Sequence, residues 1–171
     1  MKKLSMFWLF AGKRTKMGQQ VCREISAYLI SWYTFVSVEF QRKPRHLVCV
    51  CKYKSNDYRE LLMYIGPVVF KLLHDKVYSN FLTFHVAARL LSSPDSCQTY
   101  NEYAGELMKN LVSNFKLIYG EECVSYLIHG CLHVHLDVQV HGPLEEYSVY
   151  RYENFLQKLK SLVRKGEKPL Q

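Results

Sequence analysis

The segment between Val77 and Leu91 constrains the fold most, because its apolar residues recur at helical spacing. They are separated by four, three, four and three positions, at Val77, Phe81, Phe84, Ala88 and Leu91. This spacing places them on one face of an α-helix. Ser93-Pro94 follows directly, and proline cannot continue a helix. The pattern predicts one amphipathic helix that ends by Ser93-Pro94.

Helices are also predicted on both sides of this segment. Asp57 and Glu60 have the spacing of a capping box, and the helix that they begin ends at Gly66-Pro67, where a short helix restarts. A longer helix is expected from about Gln98 to Tyr119. Its predicted buried stripe consists of Tyr100, Tyr103, Leu107, Leu111, Phe115 and Ile118.

The C-terminal part predicts two further helices, one from Glu121 to about Val140 and one from about Arg151 to Gly166. Residues 47–53 and parts of 28–40 look strand-like, because they are rich in β-branched and aromatic residues. The predicted fold class is therefore mainly α: a bundle of four to six helices with at most a short β element near residues 47–53.

The net charge of +8 is unevenly distributed along the chain. Residues 1–54 hold eleven Lys or Arg against two Glu, residues 55–150 hold six against eleven acidic residues, and residues 151–171 hold six against two. Basic ends can neutralise the phosphates of DNA, RNA or anionic lipid. An ordinary solvated excess of Lys and Arg accounts for the charge equally well. The candidate nucleic-acid contacts are Arg42, Lys43, Arg45, Lys158, Lys160, Arg164 and Lys165.

The location of the chain is predicted to be intracellular. Its six cysteines lack the paired spacing of a zinc site, so free buried thiols are expected, with a disulfide framework as the alternative. Lys2 and Lys3 precede a short apolar run, but no small-residue cleavage site follows. The apolar stretch from Ile25 to Val38 is shorter than the ~20 residues of a membrane span, and none is expected.

A histidine pair is the first candidate site. His129 and His133 are four positions apart on a predicted helix, which is the geometry of two metal ligands. The zinc-peptidase pattern needs Glu after the first histidine, and Gly130 stands there. The alternative is that both rings are hydrogen-bonded between helices.

A carboxylate on the last predicted helix is the second candidate. Glu153 shares a helical stripe with Gln157, Lys160 and Arg164. It could hold Mg²⁺ together with other carboxylates, of which Asp137 is the nearest in sequence. The structural alternative is a first-turn Glu favoured by the helix dipole.

From about Val38 the chain resembles the C-terminal helical region that accompanies DDE transposases of the CACTA-like class. The resemblance depends on the ordered combination of residues 39–45, residues 58–69, and a third set formed by residues 129–133, 142–144, 152–155 and 158–160. It divides the chain into an unassigned segment, residues 1–37, and a transposase-associated helical domain, residues 38–171.

The resemblance implies a role for Glu153. In such transposases three acidic residues on a ribonuclease-H-like core bind two metal ions, and Glu153 matches the third of these residues. His129 and His133 match a histidine pair of the family. The chain departs from the family because it has no ribonuclease-H-like sheet ahead of residue 38, and because residues 47–54 replace a more charged, helical stretch. One carboxylate cannot clamp two ions, so no activity and no bound cofactor are expected for the chain alone, with Mg²⁺ implied for a complete transposase.

Three functions are consistent with these patterns. The leading hypothesis is a non-enzymatic, transposon-derived helical domain that binds DNA or RNA, or other transposase chains, and works in the nucleus. The second is a fragment that supplies Glu153 to a transposase active site. The third is a metal-binding module built on His129 and His133. No small-molecule substrate is indicated.

Overall fold

The computed structural model describes residues 1–10, 15–35, 43–148, 155–156, 158–160 and 162. No residue in these ranges lies in a β-strand, which confirms the mainly-α class. The α-helices of the described residues are, in chain order, α1 (Lys2–Leu9), α2 (Gln19–Ser31), α3 (Ser55–Glu60), α4 (Gly66–Val69), α5 (Asp75–Ser92), α6 (Asn101–Tyr119), α7 (Tyr126–Gly130) and α8 (Val134–His141). Short 3₁₀ turns lie at Trp32–Thr34, Leu47–Lys52, Phe70–Leu72 and Glu121–Cys123, and a π-helical turn lies at Leu61–Ile65. None of the described helices combines the length and apolar character needed to cross a membrane.

The two longest helices, α5 and α6, pack against each other and confirm the helices predicted around residues 77–91 and 98–119. Along α5 the predicted stripe is correct, since Val77, Phe81, Ala88 and Leu91 are buried and Phe84 packs against the same core.

The predicted face of α6 is correct in the second half of the helix, where Leu111 and Phe115 are buried, and wrong in the first half. Tyr100 and Tyr103 are exposed, whereas Ala104 and Met108 are buried. A Cβ added at the neighbouring Gly105 would lie 2.7 Å from the His135 ring. Small residues on this face let the His135 segment approach closely, and this contact decides which side of α6 is covered.

Helix α1 belongs to the same hydrophobic core as α5. Trp8 is fully buried, and its ring lies 4.9 Å from the ring of Phe70 and 6.0 Å from that of Phe81. These edge-to-face arrangements are the favoured geometry of aromatic pairs. The N-terminal segment thus contributes a central core residue.

The strand-like prediction for residues 47–53 is wrong, because Leu47–Lys52 forms a 3₁₀ helix. With three residues per turn, Leu47 and Val50 fall on the same side, and both are fully buried. The backbone N–H of Leu47 donates to the Ser26 hydroxyl at 3.2 Å. Burial of Leu47 and Val50 against α1 and α2 therefore accounts for part of the apolar character here, whereas Val48 is exposed. Of residues 28–40, parts of which are also predicted to be strand-like, residues 28–34 lie in α2 and the 3₁₀ turn after it, and residues 36–40 lie outside the described residues.

The helix predicted to begin at Asp57 begins two residues earlier. Asp57 occupies the third helical position, and its carboxylate accepts a 2.6 Å hydrogen bond from the backbone N–H of Lys54. The predicted capping partner, Glu60, is buried instead.

The single helix predicted from Glu121 to Val140 is divided into a 3₁₀ turn, α7 and α8. Gly130 ends α7, and the backbone turns through residues 131–133 before α8 starts. Helix α8 ends at Gly142, whose φ of 82° favours glycine. Of the predicted final helix, residues 155–156, 158–160 and 162 are helical.

Candidate nucleic-acid interface

The end of α2 exposes a set of aromatic side chains that we call the aromatic surface: Tyr28, Trp32, Tyr33 and Phe35. Their exposed fractions are 52%, 36%, 49% and 84%, respectively. Tyr28, Trp32 and Phe35 follow one another at spacings of four and three, so they lie along one side of the helix and its 3₁₀ extension. The buried Ile25 and Leu29 anchor the adjacent side of α2. An exposed aromatic cluster of this kind typically marks an interaction site.

One cation lies against this surface, and others lie earlier in the N-terminal part of the chain. The Nζ atom of Lys43 lies 4.4 Å from the centroid of the Tyr33 ring, which is a cation–π distance. Arg23 on α2 and Lys16 just before it are also exposed. Among the described residues of 1–54, Glu24 is the single acidic side chain, against eight Lys or Arg. The surface therefore combines flat rings with an adjacent cation, in a part of the chain with a positive excess.

Arg45, which the sequence analysis grouped with Lys43, has a different environment. Its Nη2 atom lies 2.7 Å from the Asp57 carboxylate, and its guanidinium lies 5.2 Å from the centroid of the Tyr53 ring. The Tyr53 hydroxyl donates to the Arg45 carbonyl oxygen at 2.6 Å. Asp57 is buried, so this ion pair ties the segment before Leu47 to α3. The structure thus gives Arg45 an internal partner, whereas Lys43 keeps its charge beside an exposed ring.

The remaining candidates lie toward the C-terminus. Lys158 and Lys160 are exposed. Glu153, Arg164 and Lys165 lie outside the described residues, as does Arg42, which precedes Lys43. Asp137, the carboxylate considered as a helper of Glu153, is exposed on α8.

His129 and His133 are close together but not on one helix. Their ring centroids are 5.4 Å apart in an edge-to-face arrangement, and both side chains are exposed. The helical break after Gly130 separates them, because His129 lies in α7 whereas His133 precedes α8. Within the described ranges, no cluster of three or more His, Cys, Asp or Glu side chains is placed to hold a metal ion.

The six cysteines are unpaired, as expected from the sequence. Cys97 is buried and Cys51 is exposed, so the expectation of burial is correct for the first and wrong for the second. Neither Cys97 nor Cys51 is close in sequence to the aromatic surface.

Sequence reasoning missed a buried carboxyl group at the end of α3. Glu60 is 7% exposed, and its Oε1 atom has no hydrogen-bond partner among the described residues. Burial raises the pKa of Glu60 to about 7, and the negative charge of Asp57 acts in the same direction.

A π-helical turn follows Glu60 directly. Such a turn changes the regular pairing of the backbone, and Nδ1–H of His85 donates to the Leu62 carbonyl oxygen at 2.7 Å. Gly66 ends the turn, where a Cβ would lie 2.1 Å from the Leu61 carbonyl oxygen. The sequence signal for this site is weak, since Glu60 has the spacing of an ordinary capping residue.

Comparison with protein-family models, with curated proteins and with solved structures found no match to this chain.

Proposed function

We propose that this chain is a non-catalytic helical domain that binds single-stranded nucleic acid through the aromatic surface and the adjacent Lys43. The observation that carries the proposal is the exposed series Tyr28, Trp32 and Phe35, with Lys43 beside Tyr33. Every base has a π-face, so exposed rings bind strands by stacking, while cations contact the backbone.

The distribution of charge supports a nucleic-acid partner over a neutral one. The aromatic surface lies in the part of the chain with the greatest positive excess, eleven Lys or Arg against two Glu in residues 1–54. Neutralising phosphates with such cations releases counterions and makes binding favourable at low salt. The proposed location of the chain is the nucleus, because its proposed partner is nucleic acid.

The transposase resemblance is a separate proposal about origin. It concerns mainly residues 38–171, and the residue that it assigns to a metal site, Glu153, lies outside the described residues. The binding proposal depends on α2 and Lys43 and does not require a transposase partner.

The two tryptophans of the chain provide the test. Trp8 is fully buried and Trp32 is partly exposed, so quenching of tryptophan emission by a single-stranded oligonucleotide reports stacking at Trp32. We expect quenching that weakens as salt rises from about 50 to 200 mM. Phe35→Ala should weaken binding about tenfold, since stacking contributes about 1–3 kcal/mol per base. Trp32→Phe should remove the quenching but retain much of the affinity, measured by anisotropy of a labelled strand.

Tyr126→Ala is the matched control. Tyr126 is 87% exposed on α7 in the acidic part of the chain, so its removal should leave affinity unchanged. Binding that is insensitive to salt and to Phe35→Ala would overturn the proposal. Absence of strand binding, together with concentration-dependent self-association that Phe35→Ala abolishes, would also overturn it and assign the surface to a protein partner.

A further inference from the structure

A cavity of about 650 Å³ lies where the N-terminal end of α5 meets the C-terminal end of α6. Its size is in the range of small-molecule sites. Val77, Leu117 and Ile118 supply apolar lining, and Asn80 and Asn114 supply carboxamide groups. The aromatic surface is at the far end of α2 and contributes nothing to this lining.

Asn80 is the unusual residue of this cavity. It is 2% exposed, and neither its Nδ2 nor its Oδ1 has a hydrogen-bond partner among the described residues. Buried polar atoms are nearly always paired in folded proteins, because an unpaired group loses its bonds to water without replacement. Asn80 lines the cavity while both atoms are shielded from solvent, so a molecule in the cavity pairs them once the side chain turns toward it.

We propose that this cavity binds a nucleobase, with the Asn80 carboxamide pairing to its edge. A carboxamide presents one donor and one acceptor side by side, and it matches a base edge that carries an acceptor beside an N–H group, such as N7 and N6 of adenine. Val77, Leu117 and Ile118 provide apolar contacts for a flat ring. Asn114, at the exposed side of the cavity, offers a second amide to the same molecule.

The base can come from a free nucleoside or from a nucleotide within a bound strand. The first source is independent of the proposed function, whereas the second rests on it. Both use the same edge chemistry at Asn80, and the experiment separates them.

The first measurement is calorimetric titration of the full chain with adenosine, and with purine riboside as the matched probe that lacks the 6-amino group. We expect adenosine to bind and purine riboside to bind about tenfold more weakly or worse, because one hydrogen bond to Asn80 is lost. Guanosine, cytidine and uridine are titrated next, because the base of each also presents a hydrogen-bond donor beside an acceptor.

Asn80→Leu is the decisive variant. It is nearly isosteric and removes two unpaired buried atoms, so we expect a melting temperature a few degrees higher and no nucleoside binding. Loss of binding in a more stable protein cannot be attributed to unfolding. Asn114→Ala should weaken nucleoside binding severalfold without a large change in melting temperature, because Asn114 is exposed.

The second source is tested with a labelled oligothymidylate that carries one central adenine or one abasic site. Asn80→Leu should abolish the preference for the adenine strand and leave the sequence-independent affinity, whereas Phe35→Ala should lower the affinity for both strands and leave adenosine binding intact. Strand binding can therefore fail while the nucleobase site survives. Absence of binding by all four nucleosides, equal binding by Asn80→Leu, or a lower melting temperature of Asn80→Leu would overturn the site.

Discussion

The indole Nε1–H of Trp8 donates a 2.8 Å hydrogen bond to the hydroxyl oxygen of Tyr119, joining the first helix to the end of α6 across 111 positions of sequence. The remainder of the indole ring is enclosed by Phe70 and Phe81. Burial raises the pKa of the Tyr119 hydroxyl to about 12, and the hydrogen bond from Trp8 acts in the opposite direction. One residue of α1 thus combines an apolar contact with a directional one.

Trp8→Ala is expected to destabilise the chain by about 3–5 kcal/mol, because it leaves a cavity among aromatic rings and removes the partner of Tyr119. The measurement is chemical denaturation followed by circular dichroism at 222 nm, since Trp8 itself is a fluorophore. Tyr126→Ala, a truncation of an exposed ring, should change the free energy of unfolding by no more than about 0.5 kcal/mol. Equal stability of the two variants would show that α1 is not part of the cooperative core.

The long helices could be predicted from the sequence, and the reason is visible in α5. Its apolar stripe is regular over four turns and is followed by Ser93-Pro94, so local pattern and tertiary burial agree. The buried face of the first half of α6 could not be predicted in this way. Large aromatic residues at positions 100 and 103 suggested the buried side, but close packing of the His135 segment against Gly105 selects the side with small residues.

The candidate sites were harder to predict from the sequence than the helices, because tertiary contacts decide which side chains are free and which are buried. Lys43 and Arg45 are equivalent in the sequence as neighbouring cations, and the ion partner of Arg45 is twelve positions away. Asn80 is an unremarkable polar residue in a helix until α6 covers it. The exposed rings of α2 look strand-like in sequence, because aromatic content does not distinguish a strand from a solvent-facing helix end.

Arg45→Ala is expected to lower stability more than it lowers nucleic-acid affinity. Removing the guanidinium leaves the buried Asp57 carboxylate without its cation and should cost about 1–3 kcal/mol. The double variant Arg45→Ala/Asp57→Asn should recover part of this loss, since the amide oxygen can still accept from the Lys54 N–H. Urea denaturation of both variants measures the difference.

Lys43→Ala is the matched comparison for Arg45→Ala. Lys43 is exposed and contacts Tyr33, so its removal should change stability by less than about 0.5 kcal/mol while weakening oligonucleotide binding and reducing its salt dependence. If Arg45→Ala is as stable as the wild type but binds the oligonucleotide more weakly, Arg45 contacts nucleic acid, contrary to this prediction.

Glu60 should make stability depend on pH in the direction opposite to that of an ordinary ion-paired carboxylate. Its pKa is raised from 4.5 to about 7 in the folded chain, so between these values the folded state binds the proton more tightly than the unfolded state. The favourable contribution is complete below about pH 4.5 and is lost as the pH rises through about 7. Glu60→Gln, which cannot ionise, should therefore match the wild type near pH 4.5.

At about pH 8 the same variant should be more stable than the wild type, by at most about 3 kcal/mol for a pKa difference of this size. The measurement is the free energy of unfolding in urea at both pH values. Glu106→Gln is the control, because Glu106 is exposed and paired with Lys109 on the surface of α6, where neutralisation should have a small effect. If Glu60→Gln changes stability by the same amount at both pH values, the carboxyl group does not titrate between them. Its burial would then be offset by a partner that keeps it charged.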